Sequence, residues 1–120
     1  MRTMPSLPAP PDMPTEVKVI IDAIGHSVRT EILRQMANRS LGVRELANAT
    51  GTVVSQIRKH LAILEELGLV VADVLPDERR PGGRGRAVLW STNIKRAEEV
   101  GQLWINYVTG HTSTEPSQDQ

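Results

Sequence analysis

The sequence predicts a mainly helical domain with one small β-hairpin, in the order α-α-α-α-β-β-α. Three observations predict it. Apolar residues recur at helical spacing up to Gly68, the periodicity then changes to β-branched runs on either side of a loop rich in proline, glycine and charge, and a helical stripe returns after Asn93.

Each element has its own signal. Thr15 is placed to cap a first helix in which Val17, Ile20, Ile21 and Ile24 recur, and Gly25 suits a left-handed C-cap. Ser27 can cap a second helix with an apolar stripe of Val28, Ile32, Leu33 and Met36. A turn spans 38–42. Val43 to Thr50 form a short third helix with Val43, Leu46 and Ala47 inward, and Gly51 breaks it. A fourth helix opens at Thr52 or Val53 and ends at Leu67 and Gly68. Leu69 to Leu75 and Arg86 to Thr92 read as strands. Asn93 caps a last helix, with Ile94, Ala97, Gly101, Trp104 and Val108 along one stripe. Residues 1–14 hold five prolines and residues 111–120 are polar, so both are expected as disordered tails around a folded unit of 15–110.

Composition narrows the function. The chain has 120 residues, 14 Lys plus Arg and 14 Asp plus Glu, hence no net charge. The distribution is uneven: Ser27 to Arg96 hold 12 basic and 7 acidic residues, a local +5 balanced by −5 in the flanks. A surface for nucleic acid depends on where charge sits, not on its sum. No cysteine is present, which removes disulfides, thiolate nucleophiles and thiolate metal sites. No apolar run approaches the ~20 residues that span a bilayer, and no apolar signal core follows Met1, so a cytoplasmic, nucleoid-associated location is expected. The aromatics are Trp90, Trp104 and Tyr107 alone, too few for base-stacking modes of RNA or single-strand binding. No grouping of Ser, His and Asp suggests an enzyme, and no cofactor motif is present; Gly82, Gly83 and Gly85 lack phosphate-cradle spacing.

The stretch LGVRELANATGTVVSQIRKHLAILEELGLV, from Leu41 to Val70, joins a short helix, a glycine turn and a longer amphipathic helix. Two helices joined this way cross steeply as a helix-turn-helix. On the longer one, Val54, Ile57, Leu61 and Leu64 form a core stripe. At about 100° per residue, Ser55 and Lys59 fall opposite it, with Gln56 beside them, Arg58 on one edge and Val53 and His60 on the other. A short, polar, cationic face on the first two turns suits the major groove. Gln56 can pair with adenine and Lys59 with guanine, Val53 can touch a thymine methyl, and Thr52 opens the same surface. The hairpin loop PDERRPGGRGR adds Arg79, Arg80, Arg84 and Arg86 on flexible backbone, a wing suited to phosphates or a narrow minor groove.

Ala23 to Val70, followed by GRGRAVLW, resembles the ArsR-type winged helix-turn-helix transcriptional regulators. The resemblance is carried by His26-Ser27-Val28-Arg29, by Arg44-Glu45-Leu46-Ala47, and by Lys59-His60-Leu61 with Leu64-Glu65 and Gly68-Leu69-Val70. It implies a homodimer through the first and last helices that binds a palindromic operator, usually as a repressor. The sequence departs from the metal-sensing branch: VRELANAT has no thiolate, and Glu98 and Glu99 on the last helix point apart, so no metal is expected. Ser27 stands where the family has proline. His26 reads as capping or packing, and His60 as a packing residue. Trp104 either completes the core or meets a partner, and the dimer residues expected are Val17, Ile20, Ile21, Leu103, Trp104 and Tyr107. A competing reading is a winged-helix module for protein–protein assembly with weak or no DNA binding, suggested by the zero net charge.

Overall fold

A computed structural model of the chain describes residues 13–75, 78–79 and 87–111. The expected tails lie almost wholly outside these residues, as do Arg80, Arg84 and Arg86 of the wing. The element order is α1 (Thr15–Ile24), α2 (Ser27–Gln35), α3 (Val43–Thr50), α4 (Val54–Glu66), β1 (Val70–Ala72), β2 (Trp90–Thr92) and α5 (Ile94–Val108). This is the order and class that the sequence predicts.

The helices close over one apolar cluster. Ile20 comes from α1, Ile32 from α2, Leu46 from α3, Ile57, Leu61 and Leu64 from α4, and Val100 from α5, with Met36, Leu41, Leu69, Val70 and Trp90 between them. Leucine and isoleucine fill this core because the chain has no phenylalanine. The turn between α3 and α4 is made at Gly51, whose φ of 70° is left-handed and therefore favours glycine. The start of α3 is held by the Glu45 carboxylate, which accepts the Gly42 N–H at 2.8 Å.

Several local expectations are corrected. Gly25 is right-handed, with φ −72°; glycine is needed there because a Cβ would stand 2.7 Å from the Ile21 carbonyl oxygen. The cap of α1 is Pro14, and Thr15 is the first helical residue. The cap of α2 is His26, whose Nδ1 accepts the Val28 N–H, and Ser27 opens the helix. The cap of α5 is Asn93, as the sequence predicts, and its side chain accepts the Arg96 N–H at 3.1 Å.

The strands pair antiparallel, Val70 with Thr92, Val71 with Ser91 and Ala72 with Trp90, and are shorter than the apolar runs suggest. The reason is Asp73. Its backbone N–H donates to the Leu89 carbonyl, but the Leu89 N–H donates to the Asp73 side chain rather than to its carbonyl, which ends the regular ladder. The sheet gains on its other edge. Leu41, expected in a turn, exchanges both backbone hydrogen bonds with Trp90 at 2.9 and 2.8 Å. The hairpin is thereby tied to the residue next to the start of α3.

On α5 the core-facing row runs through Ala97, Val100 and Leu103. Of the expected stripe, Ala97 lies on this row and Gly101 is half-buried, but Ile94, Trp104 and Val108 stand 46%, 44% and 53% exposed. Spacings of three residues from Ala97 keep one row on the core, and the larger apolar residues fall beside it. Trp104 therefore does not complete the core of its own chain. Val17 and Ile20, expected at a dimer interface, are closed inside the chain at 5% and 1% exposure, and Leu103 packs partly on the core. Ile21 and Tyr107 are half-buried.

Candidate nucleic-acid interface

The helix α4 has two unlike faces because its apolar residues repeat every three or four positions. Ile57, His60, Leu61 and Leu64 are buried. Ser55, Gln56, Arg58, Lys59 and Ala62 are exposed, so the residues that the sequence predicts for DNA reading share the open side of the first turns. Among the described residues, no ion pair or hydrogen bond holds the side chains of Gln56, Arg58 or Lys59.

The start of α4 has the same openness. Its cap, Val53, is extended and supplies no side-chain acceptor. The Thr52 N–H is taken by the Ala47 carbonyl, and helical bonding begins with the Gln56 and Ile57 N–H groups on the Val53 carbonyl. The first N–H groups of an uncapped helix carry partial positive charge and suit a phosphate oxygen. Val53 itself is 65% exposed, an apolar side chain beside polar readers. A thymine methyl is a natural partner for it. Thr52 is half-buried at the edge of this surface.

One exposed cation escaped the sequence reading. Arg44, in the first turn of α3, has no carboxylate partner among the described residues. The first helix of a helix-turn-helix crosses the DNA backbone, which makes Arg44 a phosphate candidate. The signal available in the sequence was its place, two residues after the Gly42 turn and off the Val43, Leu46 and Ala47 stripe.

The back of α4 is wired into the fold. His60 Nδ1 accepts the Arg29 Nε–H at 3.1 Å, and its ring lies 4.7 Å from that of His26. Arg29 also donates to the carbonyls of Asp22 and Ala23, which joins α1, α2 and α4 at one guanidinium. Burial foremost, then the neighbouring His26 and Arg29 charges, push the His60 pKa below its ordinary value. Arg96 donates to the Leu67 carbonyl at 2.9 Å, closing the other end of α4 on α5.

Arg79, expected among the DNA-binding wing residues, is engaged within the fold. Its Nη1 and Nη2 donate to the two Glu65 carboxylate oxygens at 3.2 and 2.8 Å, and its Nε donates to the Val74 carbonyl at 3.0 Å. Its guanidinium carbon lies 4.8 Å from the Trp90 ring centre. The hydrogen bonds to Glu65 raise its pKa further. Glu65 sits two turns beyond Gln56 on α4 and reaches the wing base, which is why the sequence alone did not pair the two.

Two more general features bear on the site. Among the described residues, no group of three or more His, Cys, Asp or Glu is placed to hold a metal ion. No helix among them is long and apolar enough to cross a membrane.

Three packed helices, a glycine-turned α3–α4 pair and a short hairpin after α4 define a winged helix-turn-helix protein. Residues 26–71 are similar to the family model described as bacterial regulatory protein, arsR family. The chain is 36% identical over 72 residues to the HTH-type transcriptional regulator NmtR of Mycobacterium tuberculosis, a stretch that covers 60% of each chain. It thus spans about 60% of the length of that curated relative. Among solved structures it resembles an ArsR-like transcriptional regulator from Rhodococcus sp. RHA1, with a TM-score of 0.61, 19% identity and 79% and 81% of the two chains covered. It also resembles Mb0332 from Mycobacterium bovis, described as a homodimeric winged helix-turn-helix DNA-binding domain, with a TM-score of 0.54, 21% identity and 87% and 88% covered. These likenesses at low identity establish the fold. The matched proteins are described as transcriptional regulators, not enzymes.

Proposed function

We propose that the chain is a sequence-specific regulator of transcription that binds double-stranded DNA as a homodimer and acts as a repressor at a palindromic operator. The observation that carries the reading is the row of Ser55, Gln56, Arg58 and Lys59, exposed and without partners among the described residues, on the first turns of α4, whose cap supplies no side-chain acceptor. A helix so presented delivers bidentate donors and acceptors to base edges, while Arg58, Arg44 and the wing arginines Arg80, Arg84 and Arg86 supply phosphate contacts. The outer faces of α1 and α5 supply the dimer surface. Val19 on α1 and Ile94, Trp104, Ile105 and Val108 on α5 are all exposed, and Ile21 and Tyr107 lie beside them. A two-fold pairing there sets two α4 helices on half-sites about 34 Å apart.

The reading includes no metal effector. His26 and His60 each engage Nδ1 inside the fold, and Glu99 is paired with Arg96. Selection of bound duplexes from random DNA at a stated salt, run with chelator and again with zinc or nickel, tests the whole statement. An inverted repeat with half-sites one helical turn apart, enriched alike in all arms, is the expected result. No enriched motif would sink the DNA reading, and a metal-dependent motif would restore a metal effector.

A further inference from the structure

We propose that Arg79 is a positioning residue that fixes the wing on the recognition helix, and that it makes no contact with DNA. The inference rests on the DNA-binding reading above. The two strands of the wing have three residues each, and a two-stranded ribbon of that length does not hold its own angle in water. Something else must set the wing against α4. Arg79 is built to do so. Its fork on Glu65 reaches α4, its Nε reaches the Val74 carbonyl just after β1, and its cationic plane lies over Trp90 of β2. Trp90 in turn is bonded through its backbone to Leu41, next to the start of α3. One guanidinium therefore links the recognition helix to both sides of the wing base, and Trp90 carries the link on to α3.

The pair is half-withdrawn from water, with Arg79 and Glu65 side chains 23% and 30% exposed. A bidentate pair in that setting holds its geometry better than an exposed one. If Arg79 turned to a phosphate, it would strand the Glu65 carboxylate and uncover the Trp90 ring, whose buried indole N–H has no hydrogen-bond partner among the described residues. A phosphate contact would forfeit all of these interactions together. Lysine cannot replace arginine here, because an ammonium lacks the planar fork and the stacking face. That difference separates positioning from simple charge.

The test compares wild type with Arg79→Ala, Arg79→Lys, Glu65→Gln and the double variant Arg79→Ala/Glu65→Gln. Binding is measured on the selected duplex and on a random duplex across a salt series, and the Trp90 indole N–H resonance is followed by NMR. Each single variant is expected to weaken the selected duplex about tenfold, with the double no weaker than either single. The salt slope and the random-duplex affinity should stay at wild-type values, and the indole resonance should move in every variant. Glu65→Gln removes a negative charge, so a loss of affinity runs against simple electrostatics. Wild-type affinity in Arg79→Lys overturns the proposal. So does a salt slope flattened by about 0.9 in Arg79→Ala with tighter binding by Glu65→Gln, the signature of a phosphate contact. If the wild type selects no duplex, the DNA reading has failed separately, and the indole resonance still decides the clamp: an unmoved peak in Glu65→Gln rejects it.

Discussion

The outer and inner faces of α4 carry similar polar chemistry and treat it in opposite ways. Outside, Gln56, Arg58 and Lys59 have no partners among the described residues. Inside and at the far end, each polar group is held by an arginine from another element: His60 by Arg29 of α2, and Glu65 by Arg79 of the wing base. The difference teaches that a basic residue near a DNA-binding helix is available to DNA only if no carboxylate or carbonyl of its own fold has reached it first. Arg29, Arg79 and Arg96 are engaged by their own fold, while Arg44, Arg58 and Lys59 have no carboxylate partner among the described residues.

The sharpest way to break the contrast is to damage the inner face. Leu61 is 1% exposed and belongs to the core cluster. Leu61→Ala should cost about 2–5 kcal/mol of folding stability through lost burial and the cavity left behind. Urea unfolding reads this directly. Loss of DNA binding would follow from unfolding, not from a missing contact. An unchanged midpoint would mean that α4 is not packed as described.

The outer face should respond in the reverse sense. Gln56→Ala and Lys59→Ala should leave the thermal midpoint where it is and cost about 1–3 kcal/mol each on the selected duplex. They should also relax the preference at one base position apiece, which a repeated selection would reveal. Arg58→Ala should weaken all duplexes alike and flatten the salt slope. A Lys59→Ala protein that lost stability but kept its sequence preference would reverse the assignment of the two faces.

The same contrast explains what the sequence could and could not disclose. The outer row followed from periodicity, because Ile57, Leu61 and Leu64 define one side and leave Ser55 and Lys59 opposite. The limits of α3 followed from Gly42 and Gly51. What escaped were pairings between residues far apart in the chain. The pairing of Arg79 was not legible, because only the folded hairpin brings it to Glu65, 14 residues earlier. Leu41 looked like turn because its strand partner, Trp90, lies beyond the wing. The α5 stripe was assigned by counting apolar residues, yet which row of a helix faces inward is decided by its neighbours. Ala97, Val100 and Leu103 met the core, and the bulkier Trp104 and Ile94 stayed outside.

The smallest expected effect lies where the two faces meet, at His60. Its ring is buried among groups that disfavour a second proton: the His26 ring lies tilted against it, and the Arg29 Nε–H points at its Nδ1. Arg29 cannot easily withdraw, because it is also held on the Asp22 and Ala23 carbonyls. The folded pKa therefore lies below the ordinary value of 6.5. As pH falls through that value the unfolded chain takes up the proton first, so the unfolded state is favoured and stability drops. The drop continues until the lower folded pKa is passed, and then levels off. Glu31 does not share this window: hydrogen bonds from Arg34 and Gln35 hold its carboxyl down to about 2. The wild type should accordingly melt at a higher temperature at about pH 7.5 than at about pH 5.5, and the difference should shrink in His60→Gln, which cannot titrate. Calorimetry of both proteins at both pH values checks it. An equal pH dependence in the two would show that His60 is not the group responsible. The inner face of α4 would then be joined to α2 by a hydrogen bond that does not depend on the charge of its histidine.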